Sequence, residues 1–224
     1  MTNAECAETL IDTLFQAAAS GNDDVLKPLL AGDPSLANVM NPQGVSLLLW
    51  AMYHRQTATA KLIYRHIAYP SAEQAIAVDD VEALQAALKA DPALIAQYSS
   101  DGFTLLHYAC FFANKDCVQC LLNNNAEVNC AALNTSKVYP IHSAAAAQSI
   151  HIAALLLEAG ANPNVQQAGG FTPLMGAASH NNVELVKLLL SYRADKSIRD
   201  DSGKTAYDHG VEKGFILEML KLHD

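Results

Sequence analysis

No stretch of this 224-residue chain approaches the roughly 18 consecutive apolar residues that a membrane-spanning helix needs, so no membrane association is expected. The amino-terminal MTNAECAETL has neither a basic start nor a long apolar core, and a secretory leader is not expected. Basic residues are scarce: residues 1–186 hold 7 Lys+Arg against 16 Asp+Glu, while residues 187–224 hold 7 of each. At a net charge of -9 an acidic body repels phosphate backbones, which argues against nucleic acid as a partner. Five cysteines, an odd number, fit a reducing compartment better than a disulfide framework, and the cytoplasm is the expected location. Constellations that carry chemistry are equally scarce. No Ser/His/Asp arrangement, paired acid couple, phosphate loop or metal-ligand set stands out, and Gly169-Gly170-Phe171 is a turn too short to cradle phosphate. Cys117-Val-Gln-Cys120 lacks the second ligand pair that zinc requires and the βαβ context of a redox motif, so both cysteines read as small core residues. No catalytic residue, metal or cofactor is expected.

What the chain has is repetition. In DGFTLLHYACFFANKDCVQCLLNNNAEVN, Asp101 to Asn129, a turn at Asp101-Gly102 precedes an apolar helix from about Thr104 to Phe112. Ala113-Asn114 breaks it, and a second helix follows with Val118, Leu121 and Leu122 on one side. The same break recurs at Gly21, Arg55, Asp79, Ala113, Gln148, Asn181 and Gly214, with spacings of 34, 24, 34, 35, 33 and 33 residues. One such unit is apolar on too many sides to stand alone, whereas stacked units cover each other, which predicts a solenoid. Gly32 to Ala51 also aligns without a gap on Ala90 to Ala109, an offset of 58. At the short spacing, Ser71-Ala-Glu-Gln74 reads as a capping box that enters a helix with no turn-tip hairpin before it. Residues 4–19 read as an end-cap helix started by Thr2 or Asn3, followed by a helix over Asp24 to Ala31 that bends at Pro28. The last unit, with Asp208, Glu212 and Lys213, reads as the carboxy-terminal cap.

Thr104 to Ala109 (TLLHYA), Tyr139 to Ala144 (YPIHSA) and Thr172 to Ala177 (TPLMGA) resemble the TPLHxA signature of ankyrin repeats, and Leu155 to Asn164 (LLLEAGANPN) resembles the end of their second helix. The resemblance implies an all-α solenoid of seven helix-turn-helix repeats with short β-like tips and helical end caps. It forms one domain over 1–224: a capping repeat at 1–41, internal repeats at 42–69, 70–100, 101–134, 135–168 and 169–201, and a second cap at 202–224. It further implies a monomeric, non-catalytic module that binds a protein through a concave groove of tips and inner helices. His107 and His142 take the signature histidine position, whose role in the family is structural.

Candidate contact residues come from where the rare aromatics fall. The chain has six phenylalanines, and Phe103, Phe111, Phe112 and Phe171 align with tips or inner-helix ends that the family leaves free for recognition. Tyr53 and Val45 join them from the second repeat, and His54, Ser179 and His180 lie at ends of inner helices. The alternative for any of the four is to tuck under a neighbouring tip as local core, and Phe103 and Phe171, which share the slot after the turn glycine, are more inclined to it than Phe111 and Phe112. The expected partner is a protein with an apolar or aromatic patch and a basic or polar rim. An alternative is an inhibitor, immunity or host-directed effector protein whose repeat surface blocks an enzyme; a small hydrolase or redox protein would need a pocket the sequence does not announce. Leu121 to Asn129 resembles the ankyrin segment targeted by asparaginyl hydroxylases, with the Asn129 side chain expected to bond its own backbone two residues on.

Overall fold

The computed structural model of the chain describes residues 3–214 and 218–221, so a cap at Thr2 lies outside the described residues. Among them are thirteen α-helices, short 3-10 turns, one isolated antiparallel bridge between Met40 and Ser46, and no extended strand. The chain divides into two units, Met1–Ala87 and Leu88–Asp224.

The first unit contains α1 (Asn3–Ser20), α2 (Asp23–Gly32), α3 (Leu47–Tyr53), α4 (Thr57–Tyr64), α5 (Ala72–Val78) and the start of α6 (Val81–Ala90). Inner helix α3 packs against α1 and α5, and outer helix α2 packs against α4. Leu14, Leu26, Leu30, Leu47, Leu48, Ile63 and Ile76 are fully buried between these layers. α2 runs through Pro28, its sixth residue. Ser71 and Gln74 form the expected reciprocal cap: the Gln74 N–H donates to Ser71 Oγ (3.2 Å) and the Ser71 N–H to Gln74 Oε1 (2.9 Å).

The second unit contains α7 (Leu105–Phe111), α8 (Lys115–Asn123), α9 (Pro140–Ala146), α10 (Ile150–Glu158), α11 (Pro173–Ser179), α12 (Val183–Ser191) and α13 (Ala206–Glu212). The inner helices stack in the order α7, α9, α11, α13, and the outer ones in the order α8, α10, α12. The offset of 58 is visible between the units as shared local structure. A 3-10 turn at Pro34–Asn38, capped by Asp33, recurs at Pro92–Ala96, capped by Asp91, and α3 recurs as α7.

All seven break residues lie in the left-handed region, with φ between 53° and 82°, although five of them are not glycine. The residue after each of the first six donates its N–H to the carbonyl of an alanine five positions back: Ala17, Ala51, Ala75, Ala109, Ala144 and Ala177. This is the Schellman closure, and here its chemistry lies in backbone bonds and in a buried alanine small enough for neighbouring inner helices to meet over it.

In the second unit three devices join successive repeats. Tip backbones bond one another: Leu133 N–H to Gly102 O (2.9 Å), Ala168 N–H to Ser136 O (2.9 Å) and Asp201 N–H to Gly169 O (3.0 Å). Gly102 and Gly170 permit this approach, because a Cβ on either would lie 2.8 or 2.9 Å from the next tip's backbone nitrogen. His107 and His142 are buried, accept the backbone N–H of Thr104 and Tyr139 at Nδ1 (3.2 Å each), and donate from Nε2 to Val138 O (3.0 Å) and Phe171 O (2.9 Å) in the next tip. The third device is a ladder of side chains. Asn129 Oδ1 accepts the Asn162 N–H (2.8 Å) and its Nδ2 donates to Gly160 O (3.0 Å); Asn164 does the same to Asp195 N–H (2.7 Å) and Arg193 O (3.3 Å). Asn129 therefore bridges to the next repeat instead of holding its own turn. The bond to the backbone two residues on is made from the neighbouring slot, by Glu127, Asn162 and Asp195.

Candidate functional site

The closure at each break fixes the backbone of the inner-helix end, so what varies there is the side chain. The helix C-caps are His54, Phe112, Ala147, His180 and Lys213, preceded by Tyr53, Phe111, Ala146, Ser179 and Glu212 as the last helical residues. Two slots per repeat thus carry large aromatic, small or polar groups on one repeated frame.

In the second unit the rings of Phe103, Tyr108, Phe112 and Phe111 form a continuous set. Phe103 meets Tyr108 edge-on at 5.9 Å, Tyr108 stacks on Phe112 at 6.3 Å, and Phe112 meets Phe111 edge-on at 5.3 Å between centroids. Phe111 is 51% exposed, Phe103 and Phe112 are half-buried, and Tyr108 is only 5% exposed. The Tyr108 hydroxyl donates to Asp101 Oδ1 (2.6 Å), with Ser99 Oγ also in reach (3.1 Å), which anchors the ring and directs the Asp101 carboxylate back into its own tip. Tyr108 is the member that sequence reasoning missed. Its spacing of four from Phe112, one helical turn, was the available signal.

Phe171 occupies the same slot as Phe103 and is also half-buried. Its ring lies over Gly176, where an added Cβ would sit 3.7 Å from the ring edge and from the Cβ of Ala145, and it meets His209 edge-on at 5.0 Å. Phe103 and Phe171 thus each pack on the residue five positions ahead, and of the four phenylalanines Phe111 has the largest exposed ring. Ser179 Oγ donates to Gly176 O (2.9 Å), and His180 Nδ1 lies 2.9 Å from the same carbonyl, an acceptor that assigns a proton to Nδ1. Helix α9, ending in Ala146, packs between α7 and α11, so Ser179 and His180 end the inner helix two along from the one that carries Phe111.

In the first unit, Tyr53 is half-buried and His54 is exposed. His54 repeats the His180 geometry, its Nδ1 2.9 Å from Trp50 O, and its ring lies against Trp50 at 4.6 Å; Trp50 in turn meets Phe15 edge-on at 5.9 Å. Val45 belongs to the tip, where Asn41 exchanges bonds with its backbone (2.9 and 3.0 Å).

Titratable groups here serve structure. Burial pushes His107 and His142 down to about 4, so both are neutral at pH 7, as their two backbone bonds require. Burial raises the Cys110 thiol well above the ordinary range, and Cys117 and Cys120 are buried. Among the described residues no group of three or more His, Cys, Asp or Glu could hold a metal ion, and no helix is long and apolar enough to cross a membrane.

Comparison with known proteins places this frame. The family model described as ankyrin repeats in three copies matches residues 14–132 and 72–167, and the one described as ankyrin repeats in many copies matches residues 156–209. An ankyrin repeat protein of Acanthamoeba polyphaga mimivirus is 29% identical over 178 residues, 80% of this chain and 20% of the viral protein. The ankyrin repeat and LEM domain-containing protein 1 homolog of Caenorhabditis elegans is 42% identical over 73 residues, 33% of this chain and 10% of the worm protein. Ankyrin repeat and SOCS box protein 11 of Mus musculus is 31% identical over 121 residues, 53% of this chain and 36% of the mouse protein. The chain spans little more than a third of the longest-covered of these relatives, which are larger proteins.

Proposed function

Because the chain belongs to the ankyrin-repeat family, whose repeats are generally non-enzymatic protein–protein interaction modules, we propose that it is a recognition module that binds a protein partner through its inner-helix ends and tips. The observation that carries this reading is Phe111: a large apolar ring, 51% exposed, braced edge-on by Phe112, which itself rests on the anchored Tyr108. An aromatic held in one orientation loses little entropy on binding, which suits an anchor at the centre of an interface. Phe112 extends that surface, with Phe103 and Phe171 contributing the edges of their half-buried rings. Ser179 and His180, and Tyr53 and His54 in the other unit, offer hydrogen-bonding groups from the equivalent slots. The partner supplies an apolar or aromatic patch edged by polar or basic groups. Capture by the intact parent chain, repeated with a Phe111→Ala variant, tests this: a partner of the proposed surface is retained by the parent and lost by the variant. Equal retention by both removes Phe111 from the reading.

A further inference from the structure

The amino-terminal unit carries a surface hollow, and none of its lining residues belongs to the proposed recognition set above. A hollow of about 530 Å³ lies between α4 and the α5–α6 turn. In the second unit the ninth residue after each break is a leucine, Leu122, Leu157 or Leu190; here it is Tyr64. Its hydroxyl donates to Asp80 Oδ2 (2.8 Å), while Asp80 Oδ1 takes the Ala83 N–H (2.9 Å), so Asp80 caps α6 and braces the two walls. Lys61 and Arg65, one helical turn apart, line one side, and Asp79 and Glu82 line the other. These four make no ion pair or side-chain hydrogen bond among the described residues. Opposite charges that share a hollow without closing on each other leave their attraction largely screened by water. A ligand with both charges a few ångströms apart would meet both sides at once. A phosphate would meet the two acids, and a polyamine the two cations, so each half of the lining disfavours a ligand of single charge.

We propose that this hollow binds a small zwitterion of the α-amino-acid or dipeptide type, its carboxylate toward Lys61 and Arg65, its ammonium toward Asp79 and Glu82, and an aliphatic side chain against Val78 and Val81. The four charged side chains are exposed, so such a ligand would be held at an open surface and gripped chiefly by its two charges. Amide NMR on the intact chain, with glycyl-L-leucine as the probe, tests it. The expected result is saturable shifts at residues 78–82 that weaken about tenfold or more in a Lys61→Gln/Arg65→Gln variant and equally in an Asp79→Asn/Glu82→Gln variant. N-acetyl-L-leucine, the anion alone, and L-leucinamide, the cation alone, should each bind at least about tenfold more weakly than the dipeptide. If either double variant fails to fold, the single changes Lys61→Gln and Glu82→Gln carry the same comparison. Absence of saturable shifts, binding indifferent to the charge changes, or equal binding of either half-molecule would overturn the proposal.

Discussion

Acid should loosen the carboxy-terminal unit between pH 6.5 and 4, and two histidines should account for it. His107 and His142 each have both ring nitrogens committed to backbone groups: Nδ1 accepts from the helix cap and Nε2 donates to the next tip. A proton added to Nδ1 would face a donor at 3.2 Å. Both folded values are depressed from 6.5 to about 4, so the unfolded chain takes up protons first as pH falls. The stabilisation from their neutral form is therefore complete above the unfolded value of 6.5 and lost progressively as pH drops toward 4. At pH 5 the loss is about 2 kcal/mol per histidine, roughly 4 kcal/mol for the pair. The depressed carboxylates Asp195, Asp200 and Asp208 also lose stabilisation in acid, but they titrate below their ordinary value of 3.8 and so outside this window. Urea unfolding followed by circular dichroism from pH 7.5 to 5 reads the loss. The equivalent slot in α5 holds Gln74, which accepts its cap N–H without titrating. His107→Gln/His142→Gln should accordingly flatten the dependence. An unchanged slope in that variant, or a parent whose stability is constant from pH 7.5 to 5, would refute the reasoning.

Other perturbations separate core, ladder and tip. Leu121 and Leu189 are fully buried in outer helices, and each change to Ala should cost about 2–5 kcal/mol by chemical denaturation. Asn129→Ala removes two inter-repeat bonds in an exposed setting where water replaces part of each, so a loss of about 1–2 kcal/mol is expected; a midpoint equal to the parent's would mean the ladder carries no stability. Gly169 and Gly170 share a positive φ, but only at Gly170 would a Cβ meet the next tip, 2.9 Å from Asp201 N. Gly170→Ala should therefore lower the melting temperature more than Gly169→Ala, and equal effects would exclude tip stacking as the cause.

The frame was legible in the sequence because it depends on local signals. The break residues and the Ser71–Gln74 box each act within a few residues and lie where the sequence placed them, and the 58-residue offset returns as a shared 3-10 turn. The buried cysteines were readable for the same reason: Cys117 and Cys120 take outer-helix positions that the stack must cover. Contacts made to the next repeat were not legible. The Asn129 side chain could satisfy itself locally or across the stack, and only the height of the neighbouring repeat decides between them. Tyr108 was not singled out, because the sequence does not reveal that its hydroxyl finds Asp101 and its ring becomes the base on which Phe112 rests. The shared slot inclines Phe103 and Phe171 to tuck under a neighbouring tip, whereas the half-buried rings pack on their own inner helices, at Tyr108 and Gly176 five residues on.

The proposed recognition surface is tested most directly by the double change Phe111→Ala/Phe112→Ala, measured for melting temperature and for affinity toward a captured partner on the same purified protein. Phe111 is half-exposed and Phe112 stacks on Tyr108 over one face, so the variant should fold with a loss of about 1–2 kcal/mol, well below that of a buried leucine. Affinity should fall by about 2 kcal/mol or more per ring, roughly thirtyfold each. A fall in melting temperature as large as that of Leu121→Ala, with affinity unchanged, would contradict the account, because the rings would then belong to the core.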